Sequence, residues 1–233
     1  MEYNASMKKE LTTTSYAILG LLALRSWTTY ELAKQMQRTL HYFWPRAESQ
    51  LYDEPKNLVA HGFASAEKTF VGRRPRTTYT ISPAGQQALS TWLETPSAGP
   101  VLESEAIVRV FCAVHGTKAQ LLSAIASVRT SAESMQAHGA EIAQEYLEGR
   151  MAFPAQIHTN ALMFNFLWQY SEALIQWAAA AEATVAEWDD LSPEGKHAWA
   201  AQIFGQPMGR YGQAKACEGE SVASEGNIED NTG

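Results

Sequence analysis

Residues 44–62 read WPRAESQLYDEPKNLVAHG, a helical stretch that closes on Gly62 as a C′ residue. Ala47, Leu51, Leu58 and Gly62 share one side, which marks the core face. Arg46, Ser49, Asp53, Lys56, Asn57 and Ala60 point the other way, with Gln50 and Tyr52 on the flanks. Pro55 removes the N–H that would bond to the Leu51 carbonyl, so a kink or tightened turn is expected there, costing about 3 kcal/mol in an isolated helix. Upstream, TTYELAKQM (28–36) predicts a compact helix with Thr28 or Thr29 as N-cap. Downstream, two β-like runs, 63–70 and 76–82, flank Val71-Gly72-Arg73-Arg74-Pro75. A short helix, a second ending in glycine and an arginine-tipped hairpin outline a winged helix-turn-helix, which predicts DNA binding.

Working outward, residues 13–24 form an apolar helix suited to the centre of a small domain. Ser82-Pro83 opens another helix as N-cap and N1, running to Glu94. TPSAGP (95–100) is the clearest linker. Beyond it the pattern is helical: 103–115, then 118–149, whose seam is Leu121, Ile125, Val128, Ala132, Met135, Gly139, Ile142 and Tyr146. That alternation of four and three is the spacing of an antiparallel helix pair or coiled coil. Residues 155–188 form a second long helix with two apolar seams. One carries Phe164, Trp168 and Ile175, the other Leu167, Leu174 and Trp177. Two apolar faces require two neighbours, and the second is expected from another subunit. A last short helix spans 193–204.

The expected organisation is mainly α. A flexible N-terminus (1–10) precedes a winged helix-turn-helix domain with a small β-hairpin wing (11–95). A linker (96–102) leads to a helical dimerisation domain with two long helices (103–204) and a disordered acidic tail (205–233).

The net charge of −7 is unevenly spread: residues 1–95 carry 11 Lys and Arg against 8 Asp and Glu, residues 96–233 only 7 against 17. A weakly basic head on an acidic body suits a nucleic-acid reader. No apolar run is long enough for a membrane span and no secretory signal is seen at the start. Two distant cysteines, Cys112 and Cys217, suit the reducing cytoplasm, and Cys112 is expected to be buried in an apolar helix. GxSxG, P-loop, GxGxxG and HExxH motifs are missing, the six histidines lack metal spacing, and His138 and Glu141 form an isolated HxxE. Neither an enzyme nor a cofactor is expected.

Several segments together, SYAILGLL (15–22), TYELA (29–33), QLY (50–52), KNLVAHG (56–62) and YTISPAG (79–85), followed by Leu89 and Trp92-Leu93, resemble the PadR family of bacterial transcriptional regulators. The similarity covers nearly all of 11–95 in order and spacing. It departs at Thr29, where the family usually has Gly, and at Pro55, where Leu is commoner. The resemblance implies a winged-helix homodimer that usually represses nearby genes and is often released by a small ligand.

The DNA-facing set is then Thr29, Tyr30 and Lys34 on the first helix, Arg46, Ser49, Gln50, Tyr52, Lys56 and Asn57 on the recognition helix, and Arg73, Arg74 and Arg76 on the wing. Gln and Asn pair with adenine edges and Arg or Lys with guanine, while wing arginines suit phosphate or the minor groove. The plainer alternatives are a solvated helix face and an ordinary exposed turn. Leu121, Ile125, Val128, Phe164, Trp168, Ile175 and Trp177 are assigned to the dimer interface. The resemblance also suggests Trp168 and Trp177 as platforms for a small aromatic effector, with interface packing as the competing explanation. Expected partners are a pseudo-palindromic DNA operator and a second copy. The alternative function is a winged-helix protein-interaction module that never meets DNA.

Overall fold

A computed structural model of the chain describes residues 10–45, 47–71, 74–150 and 153–206, with Glu48, Val71 and Arg74 described in the backbone alone. The tail 207–233 and residues 1–9 lie outside it. Two compact units divide between Glu103 and Ser104.

The first unit contains α1 (Thr13–Leu24), β1 (Trp27–Thr28), α2 (Thr29–Leu40), α3 (Glu48–Ala60), β2 (Ala64–Val71), β3 (Arg74–Ile81) and α4 (Pro83–Leu93). Its strands form one antiparallel sheet in the order β1-β3-β2. The helix α1, apolar on most sides, sits at the centre and buries Ile18, Leu19 and Leu22 among Leu32 and Met36 of α2 and Leu51 and Leu58 of α3. Trp27 is buried at the edge of this core and donates its indole N–H to the Leu21 carbonyl at 2.6 Å. Tyr16 stacks on Trp92 of α4 at 4.9 Å between ring centroids.

Caps fix the helix ends. Thr28 and Glu31 form a capping box on α2. Ser82 caps α4 by accepting from the Gly85 amide at 3.0 Å, with Pro83 at N1. At the end of α3, Gly62 adopts φ +76°, the Gly62 amide bonds to the Val59 carbonyl and the Phe63 amide to the Leu58 carbonyl. That is a Schellman motif. Helix α3 starts at Glu48, four residues later than Trp44, and runs uninterrupted through the fully buried Pro55.

In the second unit, α5 (Glu105–Cys112) and a 3₁₀ turn (Ala113–His115) precede α6 (Lys118–Leu147), a second 3₁₀ turn (Pro154–Gln156) and α7 (Ile157–Ala186). Residues 197–206 are also helical. Helices α6 and α7 pair antiparallel. Lys118 at the start of α6 donates to the Ala186 carbonyl at the end of α7 at 2.7 Å. Arg129 meets Glu182 at 2.5 Å. Gly139 faces the rings of Phe164 and Trp168. Leu121 and Ile125 bury against Ala178 and Val185.

Two expectations are corrected here. The sequence pattern assigns Leu121, Ile125 and Val128 to an interface between subunits, but all three are buried inside one chain, Leu121 and Ile125 against Ala178 and Val185 of its own α7. Cys112 is exposed, because Val110 and Ala113 are the residues of this short segment that pack on the α6–α7 core.

Candidate nucleic-acid interface

The candidate recognition helix, α3, is clamped from one side only. Leu51, Glu54, Pro55 and Leu58 recur at helical spacing and are buried, whereas Ser49, Gln50, Asp53 and Lys56 are exposed. The buried carboxylate among them, Glu54, accepts from the Ser15 hydroxyl at 2.5 Å and from the Asn57 side-chain amide at 3.1 Å. Burial of a carboxylate demands such partners, and here they tie α3 to α1. Asn57, placed on the DNA face by sequence, is half-buried and spends an amide proton on Glu54.

On the exposed face, Lys56 pairs with Asp53 at 2.8 Å, and that hydrogen bond raises the ammonium's pKa above its usual value. Tyr52 is half-buried. Arg46 lies outside the described residues. On α2, Tyr30 is 64% exposed, Lys34 is exposed and Thr29 half-buried.

The wing is the β2–β3 hairpin. Arg73 lies outside the described residues, and Arg74 is described only as the first residue of β3. Arg76 is exposed and its guanidinium stands 3.4 Å from Glu31 of α2. Glu31 is a hub that sequence reasoning leaves out of the site. It receives the Thr28 hydroxyl at 2.6 Å and amide at 2.8 Å, with Arg25 at 3.7 Å. These hydrogen bonds, helped by Arg25 and Arg76, hold its carboxyl below the ordinary 4.5. The Thr28-x-x-Glu31 spacing is the available signal for the cap; its ion pair with Arg76, 45 residues away, has none. The two-residue β1 does related work, setting Trp27 opposite Tyr79 and Thr28 opposite Thr78.

The structure thus brings an exposed polar helix face, the start of α2 and an arginine-bearing hairpin together in one unit. In the other unit, Trp168 lies partly over Gly139 and stacks with Phe164, while Trp177 is exposed on α7. An open groove of about 510 Å³ between α5 and α6 is lined by Glu105, Ala106, Arg109, Gln120, Ser123, Ala124 and Ser127, and neither tryptophan lines it. Among the described residues no cluster of His, Cys, Asp or Glu could hold a metal ion, and no helix is long and apolar enough to cross a membrane.

Residues 18–91 match the model of the transcriptional regulator PadR-like family. The negative transcriptional regulator PadR of Bacillus subtilis is 35% identical over 79 residues, 34% of this chain and 43% of that protein, so the chain spans less than half the length of this relative. Bacillus subtilis PadR in complex with operator DNA superposes with a TM-score of 0.65 at 20% identity, covering 75% of this chain and 99% of that one. The same regulator in complex with p-coumaric acid gives 0.59 at 21% identity, over 76% and 100%. The fold, including the helical C-terminal half, is that of these winged-helix regulators.

Proposed function

With residues 18–91 a PadR-like domain, we propose that the chain is a DNA-binding transcriptional regulator that works as a homodimer and represses genes near its own. The observation that carries the reading is the one-sided clamping of α3. Its inner face is locked to α1 through Ser15 and Glu54, while Ser49, Gln50 and Lys56 stay exposed beside the Arg76-bearing wing. A helix held this way presents base-reading groups with little freedom left to lose on binding. In this reading Thr29, Tyr30, Lys34, Tyr52 and the arginines Arg46, Arg73, Arg74 and Arg76 position the head on the phosphates.

The second copy docks on the outer stripe of α7, where Leu162 and Trp177 are exposed. A small aromatic effector would act by favouring a head spacing unlike the DNA-bound one. The p-coumaric acid complex of the Bacillus protein supports an aromatic acid as the class, with Trp168 and Trp177 as the candidate platforms.

Gel-shift with DNA from upstream of its own gene tests the function. Binding should weaken steeply with added salt. Arg73→Ala with Arg74→Ala should lower the logarithmic salt slope by about 0.9 for each phosphate no longer neutralised. Salt-independent binding, or none, would leave a protein-interaction module as the better reading.

A further inference from the structure

The end of the wing carries an apolar pair that its own unit leaves open. Phe70 is 72% exposed and stands in register with Pro75, also exposed. Residues directly opposite in an antiparallel ladder share a face. One face of the hairpin therefore runs Ala64–Ile81, Ala66–Tyr79, Lys68–Thr77 and Phe70–Pro75. Its base is buried at Ala64 and Tyr79, so the Phe70 face continues the one that the sheet turns to the core, where β2 packs on α3. It bears Lys68 and no carboxylate, whereas Glu67 lies on the opposite face, across from Thr78.

Distance and charge name the occupant. Phe70 lies four residues beyond the Ala66–Tyr79 pair, roughly 13 Å at about 3.4 Å per residue. Half a turn of B-DNA is about 17 Å, so with α3 seated in a major groove a hairpin of this reach extends toward the neighbouring minor groove. Lys68 on this face and Arg76 on the other are exposed cations of the described hairpin, and the sequence between them adds Arg73 and Arg74, which suits a polyanion rather than an apolar protein surface.

We propose that Phe70, backed by Pro75, is a wedge that enters the minor groove beside the recognition site, parts one base step and bends the duplex. This rests on the DNA-binding reading above and adds to it a residue that reads deformability instead of base edges.

The test uses the full chain and fragments from upstream of its own gene, with 2-aminopurine scanned through the site and bending followed by circular permutation. Wild type should raise fluorescence at one step per half-site and bend the DNA. Phe70→Ala should bind roughly five- to hundredfold more weakly, the range for removing one aromatic–base stack. It should lose the fluorescence rise and the bend, yet keep the wild-type salt slope and thermal midpoint. Phe70→Leu should keep most of the bend. If Phe70→Ala bends and unstacks the DNA like wild type, whatever its affinity, the wedge is overturned and the DNA-binding reading stands. If wild type retains no fragment at all, both fall together.

Discussion

Glu31 is a heavily engaged side chain of the candidate interface. Two donors from Thr28 and two guanidinium groups, from Arg25 and Arg76, converge on one carboxylate. Its pKa is lowered from 4.5, first by the Thr28 hydrogen bonds and then by the two arginines. A carboxylate whose folded pKa is depressed lends stability that is fully present above its unfolded value and is lost as pH falls through the folded one. The urea midpoint of wild type should therefore drop as pH falls below the ordinary 4.5. In Glu31→Gln, which still accepts the Thr28 amide and so keeps the cap on α2, that drop should be smaller. Equal drops in the two proteins would place the acid sensitivity on other carboxylates. Arg76 is also engaged in the free protein: in the proposed complex it must exchange Glu31 for phosphate, so its net contribution to affinity would be less than that of an unengaged arginine.

At the scale of elements, α4 is seated by the missing side chain of Gly85. A Cβ there would stand 2.1 Å from the Phe63 carbonyl oxygen, a backbone atom that cannot swing aside. Gly→Ala in a helix ordinarily gains up to about 1 kcal/mol. Here overpacking reverses the sign, and Gly85→Ala should destabilise the first unit by about 1–3 kcal/mol, measured by urea unfolding. A neutral or stabilising result would mean that α4 is not seated on the Gly62–Phe63 turn. Helices such as α1, α2, α4 and α6 are legible in the sequence because their signals are local: an N-cap residue, a proline at N1, a seam in steps of three and four. The wing is legible from alternation around a glycine–arginine–proline turn. What stays hidden depends on distant pairing. The strand β1 is two residues long and exists only because β3 lies beside it, about fifty positions on. In the sequence Glu54 is one more polar residue of α3; only the fold brings Ser15 to hold it inside the core. The α6 seam announces a partner helix, yet a heptad pattern carries no information on whether that helix belongs to the same chain.

For the whole molecule, the question is how much apolar surface one chain leaves uncovered. With α6 occupying the inner face of α7, the outer face still shows Leu162 and Trp177, and α5 exposes Phe111 to 83%. A monomer rarely keeps such stripes open, and a two-fold axis lets one patch cover its own copy. The proposed dimer has a consequence for DNA that neither head has alone. Once one head is bound, the other meets its half-site at a high effective concentration, which raises affinity by about 10²- to 10⁴-fold while adding nothing to either head's own interface. Leu162→Asp combined with Trp177→Asp places two charges on the outer stripe without touching the buried Ala178 or Val185. That variant should sediment as a single subunit, keep the wild-type helical circular dichroism, and lose operator affinity by a factor in that range. Binding to a single half-site should change little, because each winged head is an intact unit. If the variant stays paired, the outer stripe of α7 is not the clasp and the exposed face of α5 becomes the surface to substitute next. If it separates but binds the full site undiminished, the heads do not act in pairs, and a two-fold operator ceases to follow from the fold.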